Sequence, residues 1–358
     1  MIGRLEIPGG WMWSAWQPDR GMAFNSYLFE RDGGAVAIDP LPLEERELDD
    51  LAARVGPVHT IVLTNRDHAR AAGVLRERFG SRILAHAPEA SLFELPIDAT
   101  FEDREEIFPG AFALAIPCGK TPGETAIVLP AARAAIVGDA IIGAPAGSLS
   151  LLPDEKLADP SGLVLALRRL WARDLEALLL GDGQPLFTGA DAALGRLLES
   201  RGGPAVNRIN VDEIAFVRDA SDPDRYQVED GEVGLLIGAR KLGYRLARIE
   251  AGRAFCPLHS HVHAEEFFFV LEGTPSIRTL TGTIECRSGD FIAFPTGERG
   301  THQVRNDSGQ SALVLLVGME PDAEVCFYPD SRKVLVDVRG ESSVMVRSVP
   351  LLDYYDGE

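Results

Sequence analysis

The chain has 358 residues, 46% of them apolar, which is enough length and enough apolar surface to bury two separate cores. Its 54 acidic and 35 basic residues leave a formal charge of −19 with no block of Lys and Arg, which excludes nucleic acid as a partner. Cys118, Cys256, Cys286 and Cys326 show no paired spacing, no apolar run reaches membrane length, and the N-terminus lacks the charged and apolar regions of a secretory signal, so a cytoplasmic protein without disulfides or membrane segments is expected.

In chain order, Trp11, Trp13 and Trp16 come first and are expected to pack in a core or a domain interface. Paired strands are expected over 23–30 and 35–38, a helix over 43–54, and a buried strand over 59–64 that runs into Asn65-Arg66-Asp67-His68. A second helix ends at Phe79. Strands over 111–116, 125–129, 134–137 and 177–180 follow, with a helix over 161–173 before the last of them. A helix over 191–200 then meets Arg201-Gly-Gly-Pro-Ala-Val206, a turn-forming stretch that marks a boundary. The expected domains are 1–200 and 208–358, joined by a linker over 201–207.

Two strand-plus-helix halves read as an αβ/βα sandwich. This layout, with Asn25-Ser-Tyr-Leu28, Ala37-Ile-Asp-Pro40, Val137-Gly-Asp139 and Leu180-Gly-Asp-Gly183, resembles the metallo-β-lactamase fold across nearly the whole first domain. Its metal ligands are another matter. Where that family has T-H-x-H-x-D-H-x-G-G the chain runs from Thr64 to Gly73, so Asn65 and Asp67 replace the first two histidines, Ala69 the aspartate and Arg70 the third histidine. His68 falls on a spacer position. The family's T-P-G-H-T-P-G loop corresponds to Pro117-Cys-Gly-Lys120-Thr-Pro-Gly123 and its final G-H-G to Gly181-Asp182-Gly183, which leaves only Asp139.

The resemblance therefore implies the fold without the metallo-hydrolase. Carboxylates that have lost their metals repel one another unless a counter-charge is supplied. Lys120 and Arg70 are accordingly expected to pair with Asp139 and Asp182 in the old cleft. Two other readings stay open: solvated loop residues around a dead site, and an oxygen-rich site for a hard ion built from Asp67, Asp139 and Asp182, against which Lys120 argues.

Beyond the boundary, short strands are punctuated roughly every 8–12 residues by Gly, Pro and Asp, as in an all-β barrel. Four of the seven histidines lie between His259 and His302. His259 and His261, two apart, share one face of a strand. Glu266 has the wrong parity for that face, so 262–265 must turn before a strand over 266–272, ended by Gly273 and Pro275. The segment Gly289 to Asn306 reads as strand, Pro295/Gly297 turn and strand, and delivers His302 inward. Three imidazoles and one carboxylate suit one borderline divalent ion per chain (Mn, Fe, Co, Ni or Zn) with water completing the shell, whereas calcium would want more oxygens. The competing reading keeps the histidines as satisfied polar core groups.

The pattern H-x-H-(x)4-E-(x)6-G from His259 to Gly273, then G-(x)5-P-x-G and H-(x)3-N from Gly289 to Asn306, resembles the two cupin motifs. One departure is four residues, where the family usually has two, between Gly297 and His302. The resemblance implies a double-stranded β-helix barrel, and for the whole chain an α+β two-domain protein. It also implies a metal-dependent small-molecule enzyme of oxygenase or isomerase type, or alternatively a non-catalytic small-molecule sensor, binding or scaffold protein.

Glu266, Phe268 and Val270 share a strand face, which would set apolar side chains beside the ion, and Phe267 to Phe269 read as strand core. Arg278, Arg299 and Tyr328 are candidates for a substrate-facing group by their nearness to motif strands. His263 sits in the turn, either supporting the ligands or on the surface. Cys326 to Ser331 resembles the tail that follows the last core strands of small bacterial cupins. Residues 350–358 mix apolar and aromatic side chains and are the candidate segment for packing across a second copy in a homodimer.

Overall fold

A computed structural model describes residues 2–31, 33–339 and 343–348, and the chain divides into two units, residues 1–206 and 207–358. The strand Gly34–Ile38 shows how the first unit is layered, because its alternate residues enter different cores. Val36 and Ile38 join Tyr27, Phe29 and Val62 in the middle of the sandwich, while Ala35 and Ala37 join Leu48, Leu51 and Leu75 beneath two helices.

The first sheet has seven strands in sequence order. Gly3–Arg4, Gly10–Gln17, Met22–Arg31 and Gly34–Ile38 run antiparallel, and Val58–Leu63, Arg82–His86 and Ala99–Phe101 add in parallel. The second sheet runs Ala177–Leu180, Ala134–Val137, Thr125–Leu129, Ala111–Ala115, Glu106–Phe108. Helices Glu45–Val55 and Ala72–Phe79 cover the first sheet, and Pro160–Trp171 and Ala190–Gly202 cover the second.

The helix starts follow from sequence. Glu44 and Glu47 form a capping box, and the Asp159 carboxylate accepts from the backbone of Gly162 with Pro160 at the first helical position. The αβ/βα sandwich expected from the sequence is the fold of this unit. Of the tryptophans, Trp13 is buried and donates to the Leu41 carbonyl, whereas Trp16 is exposed.

Strands, beside short 3-10 turns, are the regular elements of the second unit among the described residues. An antiparallel sheet orders Phe216–Val217, Glu229–Glu232, Leu242–Ile249, Ala312–Met319, Glu266–Glu272 and Phe291–Phe294. A three-stranded sheet holds Thr283–Glu285, Ser276–Arg278 and Gln303–Arg305, and a four-stranded one holds Ser260–His261, Ala323–Tyr328, Lys333–Val338 and Val344–Arg347. Ala247, Ile249, Phe268, Val270, Ile277, Phe294, Val304 and Val314 form the barrel core. Among the described residues no helix is long and apolar enough to cross a membrane. The candidate dimer segment, 350–358, lies outside the described residues.

Candidate metal centre and a charged cleft

Strand alternation turns His259 and His261 to the same side, with their Nε2 atoms 3.0 Å apart. His302 is pinned opposite them by reciprocal backbone bonds, His259 N–H to His302 O at 3.1 Å and His302 N–H to His259 O at 2.9 Å. The long spacer after Gly297 is taken up by one 3-10 turn, Glu298–Gly300. Glu266 opens its strand, and its Oε2 lies 3.2 Å from Nε2 of both His261 and His302. The structure thus brings all four expected ligands together.

The other ring nitrogens fix the tautomers. Nδ1 of His259 donates to the Pro257 carbonyl at 3.0 Å, and Nδ1 of His302 to the Gly300 carbonyl at 2.8 Å. A proton held at Nδ1 leaves the Nε2 lone pair facing inward. Glu266 Oε2 and His302 Nε2 are buried and only 3.2 Å apart, yet the angle between them falls short of a hydrogen bond, so neither is satisfied by the other. Each such orphan costs about 1–3 kcal/mol, and satisfied core histidines would not leave them. The donor set therefore fits a borderline divalent ion. Burial and the imidazoles of His302 and His261 push the His259 pKa down to about 4. Burial opposes protonation of His261, but Cys326 and Glu266 overcome it and raise the pKa to about 10.

The walls are aromatic. Phe294 stacks on His302 with centroids 3.8 Å apart, Phe268 meets the same ring edge-on at 5.3 Å, and Tyr328 stacks on His259 at 5.8 Å. Arg278 is occupied by a bidentate pair with Asp330, at 2.6 and 2.9 Å, and Arg299 is exposed in the 3-10 turn. His263 is exposed, 3.7 Å from Glu324. A cleft of about 390 Å³ is lined by Ser260, Val262, Thr301 and Phe327. Ser260 and Val262 alternate with the imidazoles of His259 and His261, Phe327 pairs with Ser260, and Thr301 directly precedes His302, so the cleft backs onto the cluster.

Two expectations need correction. Only Phe268 of the Phe267 to Phe269 run is buried, since the other two lie on the opposite sheet face and stack on exposed Phe291. Cys326 does not lie in a tail. The Ala323–Tyr328 strand pairs with Ser260–His261, with Cys326 opposite His261, and so forms a wall of the site. Glu324 on the same strand was missed altogether. Its signal was the alternation Glu324, Cys326, Tyr328, which sends three chemically active side chains to one face.

In the first unit a cluster sits where strands end: Asp39 after Gly34–Ile38, Thr64 and Asn65 after Val58–Leu63, Asp139 after Ala134–Val137, Asp182 after Ala177–Leu180. Lys120 Nζ lies 2.8 Å from Asp139 and 2.5 Å from Asp67, and Arg70 donates to Asp182 at 2.9 Å. Asn65 accepts from the Asp67 backbone at 2.9 Å and donates to buried Glu124 at 3.2 Å. All six expected residues are in this cluster.

His68, assigned above to a spacer position, is at its centre. Its Nδ1 lies 2.8 Å from Asp39, and its Nε2 3.2 Å from Asp139 and 3.9 Å from Asp182. The correction has a physical cause: Arg66–His68 forms a 3-10 turn that rotates the ring inward, and Gly181 makes room for it, since a Cβ there would stand 2.8 Å from His68 Cε1. Burial opposes the charge on His68, but Asp39 and Asp139 raise its pKa to about 10. Burial also opposes the charge on Asp139, and His68 with Lys120 holds that carboxyl below its usual range. His68, Asp139 and Asp182 are close enough to share an ion, yet Arg70 and Lys120 already supply the positive charge.

A family model described as metallo-beta-lactamase superfamily matches residues 2–201, and one described as cupin domain matches residues 245–318. Germin-like protein 8-14 of Oryza sativa subsp. japonica is 34% identical over 106 residues, 27% of this chain and 48% of that protein. The chain thus spans about half the length of this curated relative. A solved sugar phosphate isomerase from a cupin superfamily, from Silicibacter pomeroyi, is 25% identical over 39% of this chain and 92% of its own, with a TM-score of 0.37. A metallo-beta-lactamase from Pontibacter korlensis is 19% identical over 56% of this chain and 98% of its own, with a TM-score of 0.47.

Proposed function

This chain belongs to the metallo-beta-lactamase superfamily and carries a cupin domain, and on that premise we propose that its chemistry resides in the cupin unit and not in the first. His259, His261, Glu266 and His302 hold one divalent transition ion, and the protein is a metal-dependent small-molecule enzyme of oxygenase or isomerase type. The observation that carries this reading is the gathering of donor atoms: buried Glu266 Oε2 lies 3.2 Å from Nε2 of both His261 and His302, and His259 Nε2 lies 3.0 Å from His261 Nε2.

A bound ion would supply Lewis-acid polarisation of a small molecule's oxygen. The chain's own residues do the rest. Phe268 and Phe294 exclude water on one side, the Pro257 and Gly300 carbonyls hold two imidazoles in the ligating tautomer, and Tyr328 borders the set from the opposite strand. The first unit is non-hydrolytic, because ion pairs stand where its family's metals are held.

A non-catalytic small-molecule sensor or scaffold is the second reading. The cleft of about 390 Å³ favours it, since that cleft lies behind the imidazoles. Oxygen uptake and aldose–ketose interconversion, assayed on metal-loaded protein beside a His302→Ala variant, separate the two. Turnover abolished by the variant supports the enzyme. Ligand binding without turnover across both assay sets supports the sensor.

A further inference from the structure

Two of the three imidazoles are oriented by backbone, each Nδ1 donating to the carbonyl two residues earlier, Pro257 for His259 and Gly300 for His302. His261 has no such carbonyl. Its Nδ1 faces side chains instead, Cys326 Sγ at 3.3 Å and Glu324 Oε2 at 3.6 Å. The second distance is too long for a hydrogen bond, so the Glu324 contact is one of charge.

Glu324 is also the anchor of the turn that separates two ligands. Its Oε1 accepts from the backbone of Val262 at 3.0 Å, His263 at 3.1 Å and Val325 at 2.7 Å, and its Oε2 accepts from Ala264 at 2.6 Å. Residues 262–265 belong to no strand, so without this carboxylate the N–H groups of His263 and Ala264 would lose their acceptor. Four donors leave little of Glu324 for an ion, although His261, Glu324 and Cys326 stand close enough to be counted as a donor group.

We infer that Glu324 is the positioning residue of the metal centre, a carboxylate that fixes the turn between His261 and Glu266 and orients the His261 ring. The inference rests on the metal-centre reading above. It ties a residue 60 positions from Ala264 to the geometry of two ligands at once: the backbone bonds set where the Glu266 strand begins, and the negative charge behind His261 raises the basicity of its ligating nitrogen.

The test is Co(II) titration of the full-length protein, untagged, as wild type, Glu324→Ala and Glu324→Gln, followed by visible absorption, with melting of each metal-free protein alongside. Glu324→Ala should bind about 10–100-fold more weakly and with a changed ligand-field band. Glu324→Gln keeps an acceptor oxygen for the turn but not the charge, so it should recover the band and only part of the affinity. Wild-type affinity and band in Glu324→Ala would overturn the inference, as would a lowered melting temperature with unchanged affinity, which marks a merely structural role. A wild type that takes up no Co(II) would instead overturn the metal centre itself.

Discussion

His68 sits among Asp39, Asp139 and Asp182 with Arg70 facing it from its own loop, and its pKa rises from 6.5 to about 10 as the chain folds. A histidine with a raised pKa contributes stability that is fully present below pH 6.5 and lost as pH climbs through about 10. Wild-type melting temperature should therefore fall between pH 7 and pH 10 (about three units of titration), and His68→Asn should melt lower at pH 6 while losing much of that slope. Removing one partner of a buried pair costs roughly 3–5 kcal/mol. An unchanged slope in the variant would show that some other group titrates. The role of His68 was not legible in the sequence. Ungapped register against a family motif places residues along a line, and a 3-10 turn at Arg66–His68 moves a ring off that line by a rotation no spacing records. The Lys120 and Arg70 pairings were legible as one of three readings, because charge balance favours them whatever the local backbone does.

At the scale of elements, the Lys120 loop and the Glu266–Glu272 strand each carry a prediction. Lys120→Met leaves Asp139 without its ammonium, and urea unfolding should show a loss of about 1–3 kcal/mol. No loss would favour the reading of a solvated, dead cleft. Phe268→Ala opens the barrel core beside His302 and should cost about 3–5 kcal/mol, with weaker metal binding as well. Unaltered metal affinity there would mean the aromatic wall does not hold the ligand. What the sequence reveals at this scale is period and parity: His259 and His261 on one strand face, the turn before Glu266, the Pro and Gly before His302. Pairing between distant strands is not local, so the Ala323–Tyr328 strand looked like a tail until its register against His261 placed Glu324 and Cys326 at the site.

The whole chain joins two units, each with its own apolar core, and only the second is assigned an ion. Heat should therefore unfold the protein in two steps, and a divalent metal should raise one of them. An ion at about 100 times its dissociation constant adds about 2.7 kcal/mol to the state that binds it. A calorimetric trace in which metal raises both steps equally would mean the units do not unfold independently. The account turns on where the metal goes. The measurement that tests it most directly is metal content by mass spectrometry, on untagged wild type and on the double variant His259→Ala, His302→Ala. One divalent transition ion per chain in the wild type and none in the variant is the predicted result. An ion kept by the variant, or none bound by the wild type even after titration, would contradict it.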